Sequence, residues 1–256
     1  VKICDPDTGE VKSKFKCSER VNDLSFSCFD NVQSEEKGKN LPCAKYVTVA
    51  TGSSVQVRKI FAGARWKLEC DGGVCSICWN PKFPHLIASG DKGNVVAVWD
   101  AIVGKELYRF KHKDWVRAVA FSPDGTLIAA GDDHGKIIVR KAKKDGEILH
   151  AFHQSPVHQS NNYVHSVCFS PDGNLIASGG RNKRVVLREL KRGAIVPAIV
   201  SSFVHEDYVL CIAFNSSGNL LAAGDDSNAM IVRNNPFYCP PKVVMPNWTG
   251  LFRVFP

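Results

Sequence analysis

No apolar run in this 256-residue chain approaches the roughly 18 to 20 residues that a helix needs to cross a bilayer. The opening residues, Val1-Lys-Ile-Cys-Asp5, hold no secretory core. Also missing are a Gly-rich phosphate loop, a Gly-x-Ser-x-Gly elbow and a His-Glu-x-x-His helix, so the hydrolases, nucleotide-binding enzymes and zinc proteases that those motifs define are excluded. The expectation is a soluble, intracellular protein, cytoplasmic or nuclear, with no catalytic activity, metal or cofactor. Charge of one sign is moderately in excess: 33 Lys and Arg stand against 25 Asp and Glu, a net charge of +8. Such a balance is compatible with nucleic acid, anionic lipid or acidic peptides as partners. The basic residues are scattered, however, through Lys141-Ala-Lys-Lys144, Arg181-Asn-Lys-Arg184 and Lys191-Arg192.

What the chain does have is repetition. Val116-Arg-Ala-Val-Ala-Phe-Ser-Pro-Asp-Gly125 returns almost letter for letter as Val164-His-Ser-Val-Cys-Phe-Ser-Pro-Asp-Gly173 and, weakened, as Val209-Leu-Cys-Ile-Ala-Phe-Asn-Ser-Ser-Gly218. Fainter copies start at Val74 and Val21, so the leading valines stand 53, 42, 48 and 45 residues apart. A period near 40 to 45 with alternating hydrophobicity fits four-stranded blades, whereas helical repeats would place apolar residues three and four apart. Within a copy, Val116–Phe121 meets the turn Ser-Pro-Asp-Gly, where Pro presets its backbone angle, Asp bonds the backbone ahead and Gly accepts a left-handed conformation. Three more short apolar runs follow, starting at Thr126, Lys136 and Glu147, as in a meander buried on both faces.

These copies predict one domain over residues 1–256, with blades at 21–70, 74–112, 116–154, 164–205 and 209–245. Residues 8–21 align without a gap on 103–116, so 1–17 read as the last two strands of a blade whose first two are absent, and the chain is expected to be a fragment of something longer. Residues 250–255 are a candidate further strand, and 29–45 a polar surface loop. Either the ring is gapped or residues before Val1 complete it.

The ten cysteines and eight histidines invite a metal reading. The tightest group is Cys70, Cys75 and Cys78. The repeat places Cys78 where other copies have Ala120, Cys168 and Ala213, a small strand position, and Cys75 where they have Arg117, His165 and Leu210. Zinc-binding pairs normally sit on a turn, so free thiols are expected. By the same alignment His150 and His153 are edge-strand surface residues.

The third copy carries the dipeptide Trp99-Asp100, and the patterns His112-x-x-Trp115-Val116 and His205-x-x-Tyr208-Val209 precede two first strands. With the Phe-Ser-Pro-Asp-Gly turns, they give nearly the whole chain a resemblance to the WD-repeat β-propeller family. The resemblance implies an all-β propeller of four-stranded antiparallel blades, about five full ones plus a partial one, acting as a non-enzymatic scaffold for other proteins through its loops. It also implies a hydrogen-bonded His, Ser or Thr, Asp and Trp within each blade. Those positions hold Cys70, Ser89, Gly93 and Trp99 in the third copy and His112, Ala130, His134 and Arg140 in the fourth. The fifth has Ser160, Ser178, Asn182 and Arg188, and the sixth His205, Ala223, Ser227 and Arg233. No copy is complete, so packing is expected to matter more than this network. Arg at 58, 140, 188 and 233, where Trp is expected, is read as lying along the blade with its head in solvent.

One side of the ring, bearing the approaches to the first strands and the turns after the second, collects the candidate partner-binding residues Trp115, Arg117, Asp133, Tyr163, His165, Arg181, Tyr208 and Asp226. Aromatic and Arg side chains dominate interface energies. The competing reading packs Trp115, Tyr163 and Tyr208 between blades. Other proteins or peptides are the expected partners. The alternatives are a membrane-surface or phosphoinositide-binding propeller, suggested by Leu190-Lys-Arg-Gly193, and a nucleic-acid-associated module. Oligomeric state has no signature in the sequence.

Overall fold

The computed structural model describes residues 2–4, 9–14, 17, 20–27, 46–59, 63–155, 162–191 and 193–236. All its regular structure is strand. A two-stranded sheet joins β1 (Lys2–Cys4) to β2 (Val11–Lys14). Four antiparallel meanders of four strands follow: β3 (Val21–Phe26) with β4 (Tyr46–Thr51), β5 (Ser54–Lys59) and β6 (Gly63–Glu69); β7 (Val74–Trp79) with β8 (Leu86–Asp91), β9 (Val95–Asp100) and β10 (Lys105–Lys111). The next are β11 (Val116–Phe121), β12 (Leu127–Asp132), β13 (Lys136–Lys141) and β14 (Ile148–His153), then β15 (Val164–Phe169), β16 (Leu175–Gly180), β17 (Arg184–Glu189) and β18 (Ala198–Val204). The last sheet has three strands among the described residues: β19 (Val209–Phe214), β20 (Leu220–Asp225) and β21 (Met230–Asn234). The expected loop at 29–45, the close of the last blade to 245 and the candidate strand at 250–255 lie outside the described residues. No helix among those residues is long and apolar enough to cross a membrane.

The five first strands stand side by side in chain order, β3 against β7, β7 against β11, β11 against β15 and β15 against β19, which makes them the inner strands of a radial array. Each hydrophobic cluster is shared by two adjacent sheets. Val96, Val98 and Phe110 meet Val116, Val119 and Ile128, while Val95, Ala97 and Trp99 on the other face of the same sheet meet Val55, Val57 and Leu68. Burial on both faces is why the middle strands read as continuous apolar runs rather than alternating ones. A glycine in the second strand fixes the approach: a Cβ on Gly90, Gly131 or Gly179 would come within 2.6, 2.5 and 2.5 Å of Cγ1 of Val116, Val164 and Val209, the leading valines of the next blades. The repeated Ala-Ala-Gly and Ala-Ser-Gly runs and the repeated valine are thus two halves of one contact.

The turn chemistry follows the sequence. Gly125, Gly173 and Gly218 have φ of 70°, 75° and 77°. The Asp124 carboxylate accepts from the Thr126 N–H at 3.1 Å, and Asp172 from Asn174 at 3.1 Å. The expected Arg placement is corrected for Arg140 and Arg188, while Arg58 stays along its own strand, donating to Gln56 at 2.7 Å, and Arg233 is exposed. Arg140, Arg188 and Arg233 reach across to the preceding blade, with guanidinium carbons 5.4, 4.8 and 4.8 Å from the rings of Phe110, Phe152 and Phe203. Arg188 is buried, donating to the carbonyls of Pro197 at 2.7 Å and His153 at 3.0 Å. His150 is likewise buried rather than at the surface, with Nδ1 hydrogen-bonded to the Ala194 carbonyl.

The blade network also differs from expectation. The acid sits two residues before the expected position, at the end of the second strand: His205 Nδ1 lies 2.9 Å from Asp225 and His112 Nδ1 3.4 Å from Asp132. The second carboxylate oxygen of each Asp accepts the backbone N–H groups of the following turn, Ser227 and Ala229 or His134 and Lys136. Trp99 completes the third copy differently, its indole N–H donating to Ser89 Oγ at 2.8 Å with the Cys70 thiol 3.9 Å away on the other side.

A candidate docking face

Two local devices, repeated from blade to blade, build one face of the array. The first is a register shift in the first strand, between Val21 and Asp23, Val74 and Ser76, Val116 and Ala118, Val164 and Ser166, and Val209 and Cys211. The extra residue is Asn22, Cys75, Arg117, His165 or Leu210. A bulge of this kind re-aims one side chain out of the pleat. The second is a backbone clamp joining the residue after the second strand to the residue before the first. The N–H groups of Lys92, Asp133, Arg181 and Asp226 donate to the carbonyls of Gly73, Trp115, Tyr163 and Tyr208 at 2.9, 3.0, 2.9 and 3.0 Å. Three repeat positions are thereby placed together at the four blades that begin with β7, β11, β15 and β19: the one before the valine, the bulge, and the one after the second strand.

The side chains at these positions form a ladder of rings and cations across three blade junctions. Lys92 Nζ lies 4.9 Å from the Trp115 ring, and the Arg117 guanidinium lies 5.7 Å from Trp115 and 4.8 Å from Tyr163. Arg181 lies 5.1 Å from Tyr163 and 5.1 Å from Tyr208, and Lys183 Nζ 5.6 Å from Tyr208. Each ring therefore engages two cations, a pairing favoured by the ring quadrupole. His165 meets Tyr163 edge-on at 6.2 Å. Trp115 is 38% exposed and the two tyrosines are half-buried, so each ring packs against a cation of the preceding blade and also opens onto the face.

Electrostatics fix the ladder in place. Arg117 makes a two-pronged ion pair with Asp133, which is itself buried; the second prong, Nη2 to Oδ2, measures 2.8 Å. Lys183 is held 3.2 Å from Asp207 and donates to the Glu206 carbonyl at 3.0 Å. The Asp114 and Asp207 carboxylates accept the backbone N–H groups of Trp115 and Tyr208 at 2.8 and 2.9 Å, pinning the backbone from which those rings project. Burial, followed by the positive charge of Arg117, lowers the His165 pKa below the usual histidine range; Asp133 opposes this weakly.

All eight residues singled out in the sequence lie on this face. Asp226 sits beside the Tyr208 carbonyl with its carboxylate exposed. Lys92 was missed, although it stands at the repeat position of Asp133, Arg181 and Asp226 and an alignment of the third copy exposes it. Asp207 was missed as well, although Asp114 stands at the same position before Trp115 and accepts the same backbone N–H. Elsewhere, a groove of about 940 Å³ lies at the Ser-Pro-Asp-Gly turns between the β11–β14 and β15–β18 sheets, lined by Asp124, Asp172, His150 and a Lys141–Glu147 ion pair. Of the basic pair at 191–192, Lys191 pairs with Glu189 at 3.1 Å and Arg192 lies outside the described residues. Cys70, Cys75 and Cys78 are free thiols, and no group of three or more His, Cys, Asp or Glu among the described residues could hold a metal ion.

Comparison with known proteins extends these observations. The family model described as WD domain, G-beta repeat matches residues 65–100, 104–140, 147–188 and 198–232. Each matched stretch begins in or beside the outer strand of one sheet and ends on the third strand of the next, so the sequence repeat interlocks adjacent blades. The chain is 36% identical over 70 residues to Autophagy-related protein 18 of Schizosaccharomyces pombe, covering 27% of this chain and 18% of that protein. It is 28% identical over 151 residues to a putative BTB/POZ domain and WD-repeat protein of Acanthamoeba polyphaga mimivirus, covering 58% and 28%. The matched stretches thus span less than a third of these relatives. Among solved structures, a chain of the "Crystal Structure of Mitotic Checkpoint Complex" superposes with a TM-score of 0.75 over 91% of this chain and 68% of that one, at 18% identity, a likeness of fold alone.

Proposed function

The chain belongs to the WD domain, G-beta repeat family, and from that membership we propose that it is a non-catalytic platform whose face around Trp115, Tyr163 and Tyr208 docks other proteins. Propellers of this family are generally protein-interaction scaffolds, and fold alone does not say which surface is used. The observation that carries the choice is the ladder, which concentrates three aromatic rings and two arginines, the residue types that dominate binding energies, on one exposed strip. Its side chains are already ordered by ion pairs and backbone clamps, so docking costs less conformational entropy. Protein is favoured over nucleic acid because each ring already engages two of the chain's own cations, which leaves less open ring surface for stacking bases.

The test compares partners captured by the native protein and by a triple Ala variant at Trp115, Arg117 and Tyr208, with circular dichroism as a control for folding. Loss of a hot-spot residue weakens binding by about 2 kcal/mol or more, roughly 30-fold. Partners should therefore disappear from the variant, and an unchanged set of partners would place docking elsewhere.

A further inference from the structure

Of the ladder's cations, Arg117 is committed to Asp133 and Lys183 to Asp207. Arg181 differs. Its guanidinium sits between Tyr163 and Tyr208, 5.1 Å from each ring, and makes no ion pair with a carboxylate among the described residues. The rings cannot serve as a cage for an incoming cation without displacing the ones they hold. The Tyr208 and Tyr163 hydroxyls interact with this guanidinium but leave it without a carboxylate, so the chemistry left on offer at the centre of the face is a fork of N–H donors whose geometry matches one. Two flanking rings restrict its rotamers, so less freedom is lost when an anion arrives.

We propose that Arg181 is the seat for one acidic side chain of a docked protein segment. This rests on the docking reading above and specifies the chemistry of the partner. The surroundings favour a single discrete anion over an extended anionic surface. At the corresponding position of the neighbouring blades stand Asp133 and Asp226, and Asp207 lies beside Tyr208. Asp133 and Asp207 are already paired with Arg117 and Lys183, so a membrane or a duplex laid on this face would find, among the described residues, one unpaired guanidinium next to the unpaired Asp226 carboxylate, whereas a single carboxylate can sit on Arg181 without meeting Asp226. Asp226 is exposed and makes no ion pair among the described residues, so the same segment gains from a basic residue next to its acidic one.

The experiment selects displayed random peptides of about 12 residues against the whole chain, keeping those that fail to bind the Trp115→Ala and Tyr208→Ala variants. The recovered peptides should be enriched in Asp or Glu at one position. Arg181→Gln should bind them about tenfold more weakly, the factor expected for one charge-assisted hydrogen bond. Arg181→Lys, which keeps the charge and loses the fork, should fall between, and selection on Arg181→Glu should turn the enrichment toward Lys or Arg. Peptides that depend on the ladder yet bind Arg181→Gln as well as the native protein would overturn the anion seat and leave the docking face standing. If no ladder-dependent peptide is recovered, both fail. Flotation of the native protein, and not of Arg181→Gln, with vesicles containing phosphatidylserine would overturn the proposal in favour of a lipid surface.

Discussion

Four blade junctions use the same pair of positions in two chemical versions, and exchanging one for the other tests why. The positions are a residue on the outer strand of one blade and the residue facing it on the third strand of the next. Phe110, Phe152 and Phe203 face Arg140, Arg188 and Arg233. At the junction of β6 with β9, Leu68 occupies the Phe position and Trp99 the Arg position, and both belong to one apolar cluster. Phe goes with Arg and Leu with Trp because a flat ring offers a cation its quadrupole, while the smaller Leu leaves room for an indole. The Trp99 N–H needs a buried acceptor, Ser89 Oγ, and the same strand position holds Ser178 in the blade of Arg188. The variant F152L should cost about 1–2 kcal/mol through lost volume and the lost cation–ring contact. R188W alone should cost about 1–3 kcal/mol by crowding Phe152 and leaving the carbonyls of His153 and Pro197 without their donor. Combined, the two recreate the Leu68–Trp99 arrangement with Ser178 as acceptor, so the double variant should be more stable than the sum of the singles by at least about 1 kcal/mol. Urea unfolding of the four proteins measures the cycle. Additivity within about 0.5 kcal/mol would refute the idea that the pairs are coupled through the junction.

Two further outcomes follow from the packing and the face. Gly131→Ala places a Cβ within 2.5 Å of Val164 Cγ1 and should destabilise the chain by about 1–3 kcal/mol, with Val164→Ala in the same chain recovering part of that loss in urea titrations. His165, whose folded pKa is lowered by burial and Arg117, binds its proton less readily folded than unfolded; its contribution is therefore complete above the unfolded pKa of about 6.5 and declines as pH falls below it. Thermal melts at pH 7.5 and 5.5 should show a larger loss for the native protein than for His165→Gln, and equal losses would contradict the assignment.

The fold was legible because its two strongest constraints are short-range and repeated. Ser-Pro-Asp-Gly encodes its own turn, and a period near 45 residues with a valine at the head of each copy encodes the stacking of like units. What resisted reading was pairing across a junction. Arg188 on its own strand looks like a solvent-exposed misfit, since nothing within the blade can satisfy a guanidinium; its partners, Phe152 and two carbonyls, belong to the preceding blade and to the connection after its own strand. His150 failed for the same reason, because its acceptor at Ala194 lies on a different blade's connection. The acid of the blade network was sought where the family motif places it and found two residues earlier, where the strand end lets one carboxylate both bond the histidine and cap the turn.

The face shows how the same repetition that blurs individual blades sharpens a surface. Aligned copies placed Trp115, Arg117, Tyr163, His165, Arg181 and Tyr208 at equivalent sites, and equivalence in a radial array means adjacency in space. The order of partners along the ladder needed coordinates, because an Arg on a bulge can turn toward its own blade or the next. Arg117 does both, pairing with Asp133 at home and reaching Tyr163 next door. A cation shared in this way ties the conformation of one blade's surface to its neighbour's. Four blades then present a single strip whose cations are neutralised within the chain except at Arg181 and at Lys92 on its edge, and the central position of Arg181 makes it the point at which specificity for a partner's charge is most economically set.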